Sequence, residues 1–294
     1  AKLGDKSALQ NVEYLIAVNL RAGRDNEVEI CLASALSSEV LRQIFPQLPW
    51  QQHCYWDVSE GRVIANQQQR LGELVINQRP IKPNSDQAQQ AILSAIRTEG
   101  LSLLNFDKKC RDFLARLRFL QQHERQHRWP NSSDQALLEN LENWLAPFLG
   151  NTRNRNELQK IDLLSALKSR LDWQQLQRLD QLAPERLEVP SGSKIALQYP
   201  PSGPPILAVK LQEMFGQLDT PRIAAGQAPV VIHLLSPAGR PLQITQDLRH
   251  FWKQNYPEVK KEMKGRYPKH PWPDDPLTAP QTAKTKRKLM QQEK

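Results

Sequence analysis

Residues 230–245 read Val230-Val231-Ile232-His233-Leu234-Leu235-Ser236-Pro237-Ala238-Gly239-Arg240-Pro241-Leu242-Gln243-Ile244-Thr245. The apolar, β-branched run from Val230 to Leu235 predicts a strand. Ala238-Gly239 turns the chain toward a second extended piece, Leu242 to Thr245. Thr245 or Asp247 then caps a long basic amphipathic segment to about Arg266, which Pro257 kinks or divides. Strand, turn, strand and helix in quick succession mark this part of the chain as mixed α and β.

Working outward, Leu187 to Tyr199 reads as a hairpin turning on Ser191-Gly192-Ser193. Pro204-Pro205 leads into an apolar stretch, Ile206 to Phe215, which reads as a helix stopped by Gly216. Before the hairpin the pattern is helical. Ala88, Ala91, Ile92, Ala95 and Ile96 share one face, as do Cys110, Phe113, Leu114, Leu117 and Leu120, and then Leu137, Leu138, Leu141, Trp144, Leu145 and Phe148. Such stripes at helical spacing belong to a core. The part up to Asn84 is β-rich. Its strand candidates are Tyr14 to Val18, Val28 to Leu32, Cys54 to Val58, Arg62 to Ala65 and Leu71 to Ile76, with a turn around Gly23 and a short helix from Glu39 to Phe45. Short strands with one intervening helix suit a small barrel of the oligonucleotide/oligosaccharide-binding (OB) type. The fold class expected is therefore α+β. A small OB-like β-barrel spans 1–84 and a helical region 85–150. A mixed α/β part with a basic helix spans 151–276, and a basic tail, 277–294, is expected to be disordered.

Composition narrows the function. The 294 residues carry a net charge of +9. Residues 247–294 hold twelve Lys/Arg against six Asp/Glu, so that sixth of the chain supplies +6 of the surplus. A basic surplus favours polyanionic partners, because each neutralised phosphate releases counterions. The three cysteines have no patterned spacing, which argues for a reducing compartment. No apolar run approaches the length that spans a bilayer, and no signal-peptide pattern opens the chain. A cytoplasmic location and no membrane partner are the expectation. The first residue is Ala1 and not Met, as in a fragment or a processed chain.

Motifs for catalysis are poor. His123-Glu124-Arg125-Gln126-His127 fits the H-E-x-x-H pattern of zinc hydrolases, but the polar run from Gln121 to Arg128 reads as a solvated helix end. Ser191-Gly192-Ser193-Lys194 fits S-x-x-K, yet it sits in a hairpin turn where a serine nucleophile would need to open a helix. The sequence has no G-x-x-x-x-G-K-[ST] phosphate cradle, so no nucleotide hydrolysis is expected from it. No catalytic, metal or cofactor-binding residue is assigned. The unusual stretch is 236–276, where Lys and Arg alternate with Phe251, Trp252, Tyr256, Tyr267 and Trp272. Basic groups can hold phosphates while rings stack bases. Equally, the rings can pack on the body of the protein and leave the lysines in water. On either reading Arg240, Lys253, Lys260, Lys261, Lys264, Arg266 and Lys269 are the candidate phosphate contacts.

Long strings of this sequence resemble the C-terminal end of HrpB-type DEAH-box helicases. They are the run from Leu234 to Thr245, the Phe251-Trp252 pair, and Lys264-Gly265-Arg266-Tyr267-Pro268-Lys269-His270-Pro271-Trp272-Pro273-Asp274-Asp275-Pro276. Val189 to Ser193, Leu207 to Gly216 and Glu142 to Pro147 resemble it as well. The resemblance implies a parent with two RecA-like motors, a winged-helix and a helical domain, all preceding this segment, with ATP and Mg²⁺ bound in those motors. It implies an accessory role facing single-stranded RNA, with the motor domains as partners in cis and no activity for this segment alone. A protein-interaction or autoregulatory module without direct RNA contact is the alternative.

Overall fold

The computed structural model describes residues 1–4, 7–22 and 28–282. They fall into two compact units, Ala1–Ile92 and Leu93–Lys294. No described helix is long and apolar enough to cross a membrane.

The first unit holds two three-stranded sheets. One runs in the order β1 (Lys2–Leu3), β3 (Val28–Leu36), β2 (Tyr14–Ala22). A short helix follows, α1 (Ser38–Ile44), started by the Ser37 hydroxyl accepting from the Val40 amide. The second sheet is the meander β4 (Trp50–Asp57), β5 (Arg62–Leu71), β6 (Leu74–Pro80). Helix α2 (Ser85–Glu99) then begins and runs through the boundary between the units.

These sheets correct the barrel expectation. The strands between Tyr14 and Ile76 are present, but no hydrogen-bonded ladder joins β3 to β4, so among the described residues no barrel closes. Pro46, Pro49 and α1 lie where such a ladder would have to start, and a proline cannot donate to it. The turn expected around Gly23 falls in residues 23–27, outside the described residues.

The second unit begins with helices. α3 (Lys108–His123) is followed by α4 (Asp134–Glu139), α5 (Leu141–Trp144), α6 (Ala146–Leu149), α7 (Arg155–Leu158), α8 (Leu163–Lys168) and α9 (Trp173–Leu182). Local chemistry starts most of them. Asp107, Ser133, Asn154, Asp162 and Asp172 each accept the amide three residues on, and Asp172 with Gln175 completes a capping box. Phe113, Leu117, Leu120, Leu137, Leu141, Trp144 and Leu145 form the buried stripe the spacing predicted.

A five-stranded mixed sheet follows. Its strands are β7 (Arg186–Glu188), β8 (Lys194–Gln198), β9 (Ile206–Lys210), β12 (Val231–Leu235) and β13 (Pro241–Thr245), in the order β13-β12-β9-β8-β7. Between β9 and β12 a small hairpin forms from β10 (Arg222–Ile223) and β11 (Ala228–Pro229). Strands β9 and β12 pair in parallel, setting Leu207 beside Ile232 and Val209 beside Leu234, all at most 1% exposed. The stretch from Ile206 is thus a strand followed by a 3-10 turn over Leu211–Met214, not the helix its apolar run suggested. A short, wholly apolar run fits a buried strand as well as a helix, and pairing with β8 and β12 decides. After β13 come α10 (Leu248–His250), a π turn over Phe251–Asn255, and α11 (Tyr256–Arg266). The π turn widens the helix just before Pro257, whose ring would otherwise meet the carbonyl of Lys253.

The expected tail also needs correction over 277–282. The Gly216 amide donates to the Pro276 carbonyl at 3.0 Å and the Thr282 amide to the Gln212 carbonyl at 3.1 Å. Thr282 is buried, so this stretch straps back over the 3-10 turn. Gly216, at φ +78°, takes a backbone conformation that favours glycine, with the Gln281 amide end lying against it. Residues 283–294, the rest of that tail, lie outside the described residues.

The helices and the sheet meet at residues 182–185, where successive carbonyls are all taken. Leu182 accepts from the Ala224 amide at 2.9 Å, Ala183 from Arg116 Nε at 2.6 Å, Pro184 from the Tyr199 hydroxyl at 2.7 Å, and Glu185 from the Leu197 amide at 3.0 Å. Arg116, on α3 and 2% exposed, also grips the carboxylates of Asp180 and Glu185. We expect Arg116→Met to cost about 2 kcal/mol, because it leaves the buried Ala183 carbonyl without its donor, while Asp180 and Glu185, both largely exposed, regain water. Arg116→Lys should recover less than half, since a single ammonium cannot serve three diverging acceptors. Urea unfolding of the whole chain measures both.

Candidate nucleic-acid interface

Helix formation around α10 and α11 starts at Asp247, whose carboxylate accepts from the His250 amide at 2.9 Å. From there Leu248, Phe251, Trp252, Tyr256 and Met263 turn inward, each at most 6% exposed. Their rings touch one another: Phe251 to Trp252 at 5.0 Å, Trp252 to Tyr256 at 5.5 Å, and Phe215 edge-on to Tyr256 at 6.3 Å. The polar tips are spent as well. Trp252 Nε1 donates to the Gln217 carbonyl at 2.7 Å, Tyr256 Oη to Pro273 at 2.9 Å, and Trp272 Nε1 to Tyr267 at 3.0 Å. Burial raises the Tyr256 hydroxyl pKa well above its ordinary value. These rings are core, and the base-stacking half of the sequence reading does not apply to Phe251, Trp252, Tyr256 and Trp272. Tyr267 stays half-buried.

The basic side chains divide into two groups. Lys260 is tied to Asp274 and holds that carboxyl below its usual range. Arg266 meets Glu262 one turn earlier at 3.2 Å. Arg249, which the sequence reading did not single out, pairs with Asp219 at 2.5 Å. By contrast Lys253, Lys261, Lys264 and Lys269 are exposed and form no ion pair with a described residue. Lys261 and Lys264 lie one turn apart on the outer side of α11, and Lys253 projects from the π turn before it. Arg240 is exposed but sits elsewhere, in the Ser236–Arg240 turn between β12 and β13. His270 adds no charge near neutral pH, because burial and then Lys210 lower its pKa. What this surface can do is hold phosphates, by charge and without stacking.

The two catalytic-looking patterns dissolve. Helix α3 ends at His123 with Glu124 as its C-cap, so His123 and His127 do not share a helical face. Glu124 is not solvated, as the polar run implied; its side chain is 13% exposed. It accepts from Arg178 and from Trp129 Nε1 at 3.3 Å, with His127 Nδ1 lying 3.2 Å away, and the Arg178 hydrogen bond lowers its pKa. Among the described residues no group of three metal-capable side chains comes together. Ser191 spends its hydroxyl on Ser193 and Glu213, both at 3.1 Å, and Lys194 opens β8. The Cys110 thiol is pushed up to about 11 by burial, as suits a core cysteine.

The sequence reading overlooked the rings of β4. His53 and Tyr55 are exposed and in contact, with centroids 5.2 Å apart. The signal was available in the alternation of Gln51, His53 and Tyr55 along one face of a strand.

Comparison with known proteins places these features. The family described as "ATP-dependent helicase C-terminal" matches residues 144–276, and "ATP-dependent RNA helicase HrpB, connector region" matches residues 47–81. The chain is 42% identical over 290 residues to the ATP-dependent RNA helicase HrpB of Escherichia coli K12, covering 98% of this chain and 36% of that protein. A crystal structure of the E. coli DExH-box NTPase HrpB superposes with TM-score 0.70 at 42% identity, over 95% of this chain and 35% of that one. A second, of the E. coli DEAH/RHA helicase HrpB, gives TM-score 0.62 at 40% identity, over 92% and 34%. The chain therefore spans about a third of the length of the relatives it matches.

Glu124 generates a prediction of its own. Its folded pKa lies below the ordinary glutamate value of 4.5, so its contribution to stability is complete above that pH and is lost as pH falls through the folded value. Thermal melts of the native chain and of Glu124→Gln should differ above the ordinary glutamate value and converge as the pH falls through the lower folded value.

Proposed function

Since the chain belongs to the HrpB family of ATP-dependent helicases as its C-terminal region, we propose that it is an accessory part of an RNA helicase that touches single-stranded RNA beside the motor. One observation carries the reading. The outer side of α11 and its π turn presents Lys253 and Lys261 to solvent without carboxylate partners, with the exposed Lys264 beside them near Asp274, while the rings beneath anchor the helix. Lys269 and Arg240 extend the set, and Lys260 and Arg266 contribute less because Asp274 and Glu262 hold them. ATP and Mg²⁺ would be bound by motor domains outside this chain, and the setting would be cytoplasmic.

The alternative is docking on those motor domains in cis. It is favoured by β2 and β3, where Ile16, Val18, Leu20 and Leu32 are 50%, 66%, 53% and 58% exposed. An exposed apolar sheet face of that kind suits a protein partner.

Titration of a fluorescent single-stranded RNA at several salt concentrations separates the two. Single-strand binding loses about 0.7 in log–log salt slope for each phosphate contact removed. The triple change Lys253→Gln, Lys261→Gln, Lys264→Gln should therefore flatten the slope by about 2 and weaken binding at least about tenfold in low salt. Binding that ignores these changes removes the phosphate role. Retention of the motor half of a relative on the immobilised chain, lost on Leu20→Lys with Leu32→Lys, would favour docking instead.

A further inference from the structure

We propose that the cavity at the C-terminal end of α3 holds a terminal phosphate, carried by a small phosphorylated molecule or by the end of a nucleic-acid strand; it is a site apart from the lysines of α11 and goes beyond the RNA-contacting reading. The His123-Glu124-Arg125-Gln126-His127 stretch forms one wall. Arg178 and Leu182 of α9 and the loop of the β10–β11 hairpin form the others, around a volume of about 400 Å³, at the small end for a ligand site. The first wall is fixed from within. The Glu124 amide closes α3 on the Leu120 carbonyl at 2.8 Å, the His127 amide donates to the Glu124 carbonyl at 3.2 Å, and the Trp129 amide to the His127 carbonyl at 3.0 Å. The Arg178 side chain ties α9 to Glu124. Walls already held in place lose little freedom when a ligand arrives.

The charge on the walls is positive after pairing. Glu124 is the one carboxylate among the described residues that line the cavity, and Arg178 already neutralises it, with Trp129 Nε1 donating to it at 3.3 Å. Arg125 is left over. It lines the cavity, is exposed, and makes no ion pair or side-chain hydrogen bond with a described residue. Arg222 on the hairpin is exposed and has no carboxylate partner among the described residues either. Its guanidinium holds the carbonyls of Gly226 at 2.6 Å and Gln227 at 3.3 Å, so a second positive charge stands on the same loop. Guanidinium groups match phosphate oxygens in shape as well as in charge.

The hairpin loop adds backbone donors. Ala224, Ala225 and Gly226 have φ of 52°, 52° and 81°. Two successive non-glycine residues in that region are uncommon, and here the fold holds them there. Ala224 is buried, its amide donates to the Leu182 carbonyl at 2.9 Å, and its carbonyl accepts from the Gln227 amide at 3.1 Å. The amides of Ala225 and Gly226 have no partner among the described residues. Successive amides in such a turn make a concavity that suits an anion. The histidines fit a phosphate in either protonation state. His123 Nδ1 lies 3.0 Å from the Phe119 carbonyl, which only accepts, so a neutral ring carries its proton there and offers Nε2 as an acceptor. That nitrogen can take the proton of a P–OH, or become a donor by protonation beside the anion. A carboxylate ligand offers two oxygens, fewer than Arg125, the two amides and the imidazoles can serve; a terminal phosphate offers three.

Phosphorus NMR titration of inorganic phosphate with the whole 294-residue chain, at constant ionic strength, tests the cavity. Arg125→Gln with His127→Gln should weaken binding about tenfold or more, since charge-assisted bonds are lost. Arg128→Gln removes an equal charge from outside the cavity walls and should leave binding within about twofold. Acetate at the same concentration should not displace the phosphate. Melting curves that overlay the native one confirm the fold of each variant; where the double change alters the melt, Arg125→Gln alone carries the test. Anisotropy then identifies the source. An oligouridine phosphorylated at one end that binds tighter than the same strand with a free hydroxyl there, with the preference lost in the double variant, makes the ligand a nucleic-acid end. Equal affinity for the two strands, with inorganic phosphate still bound, makes it a small phosphorylated molecule; either result supports the cavity. No phosphate binding, binding that ignores the double change, an equal loss on Arg128→Gln, or displacement by acetate overturns the proposal. None of these touches the RNA-contacting reading, which rests on Lys253 and Lys261 and falls only with its own salt titration.

Discussion

The arrangement of the second unit depends on a single buried arginine and the bend of chain it holds. Arg116 lies inside the helical layer at 2% exposure, and its three nitrogens reach α9 and the residues leading into β7. A guanidinium placed there is tolerable because every donor direction meets an acceptor, two of them charged. The same bend supplies carbonyls to β8, to Tyr199 and to the β10–β11 hairpin. Where the helices end and the sheet begins is thus set by one cluster of directional bonds. Apolar packing alone would leave that register loose, because hydrophobic contact has no direction.

The basic C-terminal helix shows how one segment can serve both stability and recognition. Its rings and its lysines are interleaved in sequence and separated in space. Helical periodicity sends Phe251, Trp252, Tyr256 and Met263 inward and Lys253, Lys261 and Lys264 outward. The buried rings bring no stacking, but they fix the helix that displays the charges. Any base-stacking by this chain must use rings that the core has not taken, such as Trp173 of α9 and Tyr55 of β4.

Much of this was readable beforehand. The cap at Asp247 and the leucine stripes of the helical region depend on neighbours within one or two helical turns, so they show in the sequence. The strand pair flanking the Ala238-Gly239 turn was legible for the same reason. The β-strands of the first unit were legible, but their grouping into two open sheets was not, since closure depends on which distant edges pair. The candidate lysines were legible as a set. Which of them are spent was not, because Asp274 reaches Lys260 from fourteen residues away and only the fold brings it there.

What the sequence determined alone was local and compositional: where helices start, which faces are apolar, the basic end, the missing phosphate cradle, and the ordered strings shared with HrpB-type helicases. These follow from short-range sterics, hydrogen-bonding and periodicity. Tertiary structure alone decided that Ile206–Lys210 is a strand between two others, that the rings near the C-terminus are core, that residues 277–282 strap back over Gly216, and that His53 and Tyr55 stay in water. Each of those depends on contacts between residues far apart in the chain, whose pairing is settled by which buried surfaces and backbone ladders can all be satisfied at once.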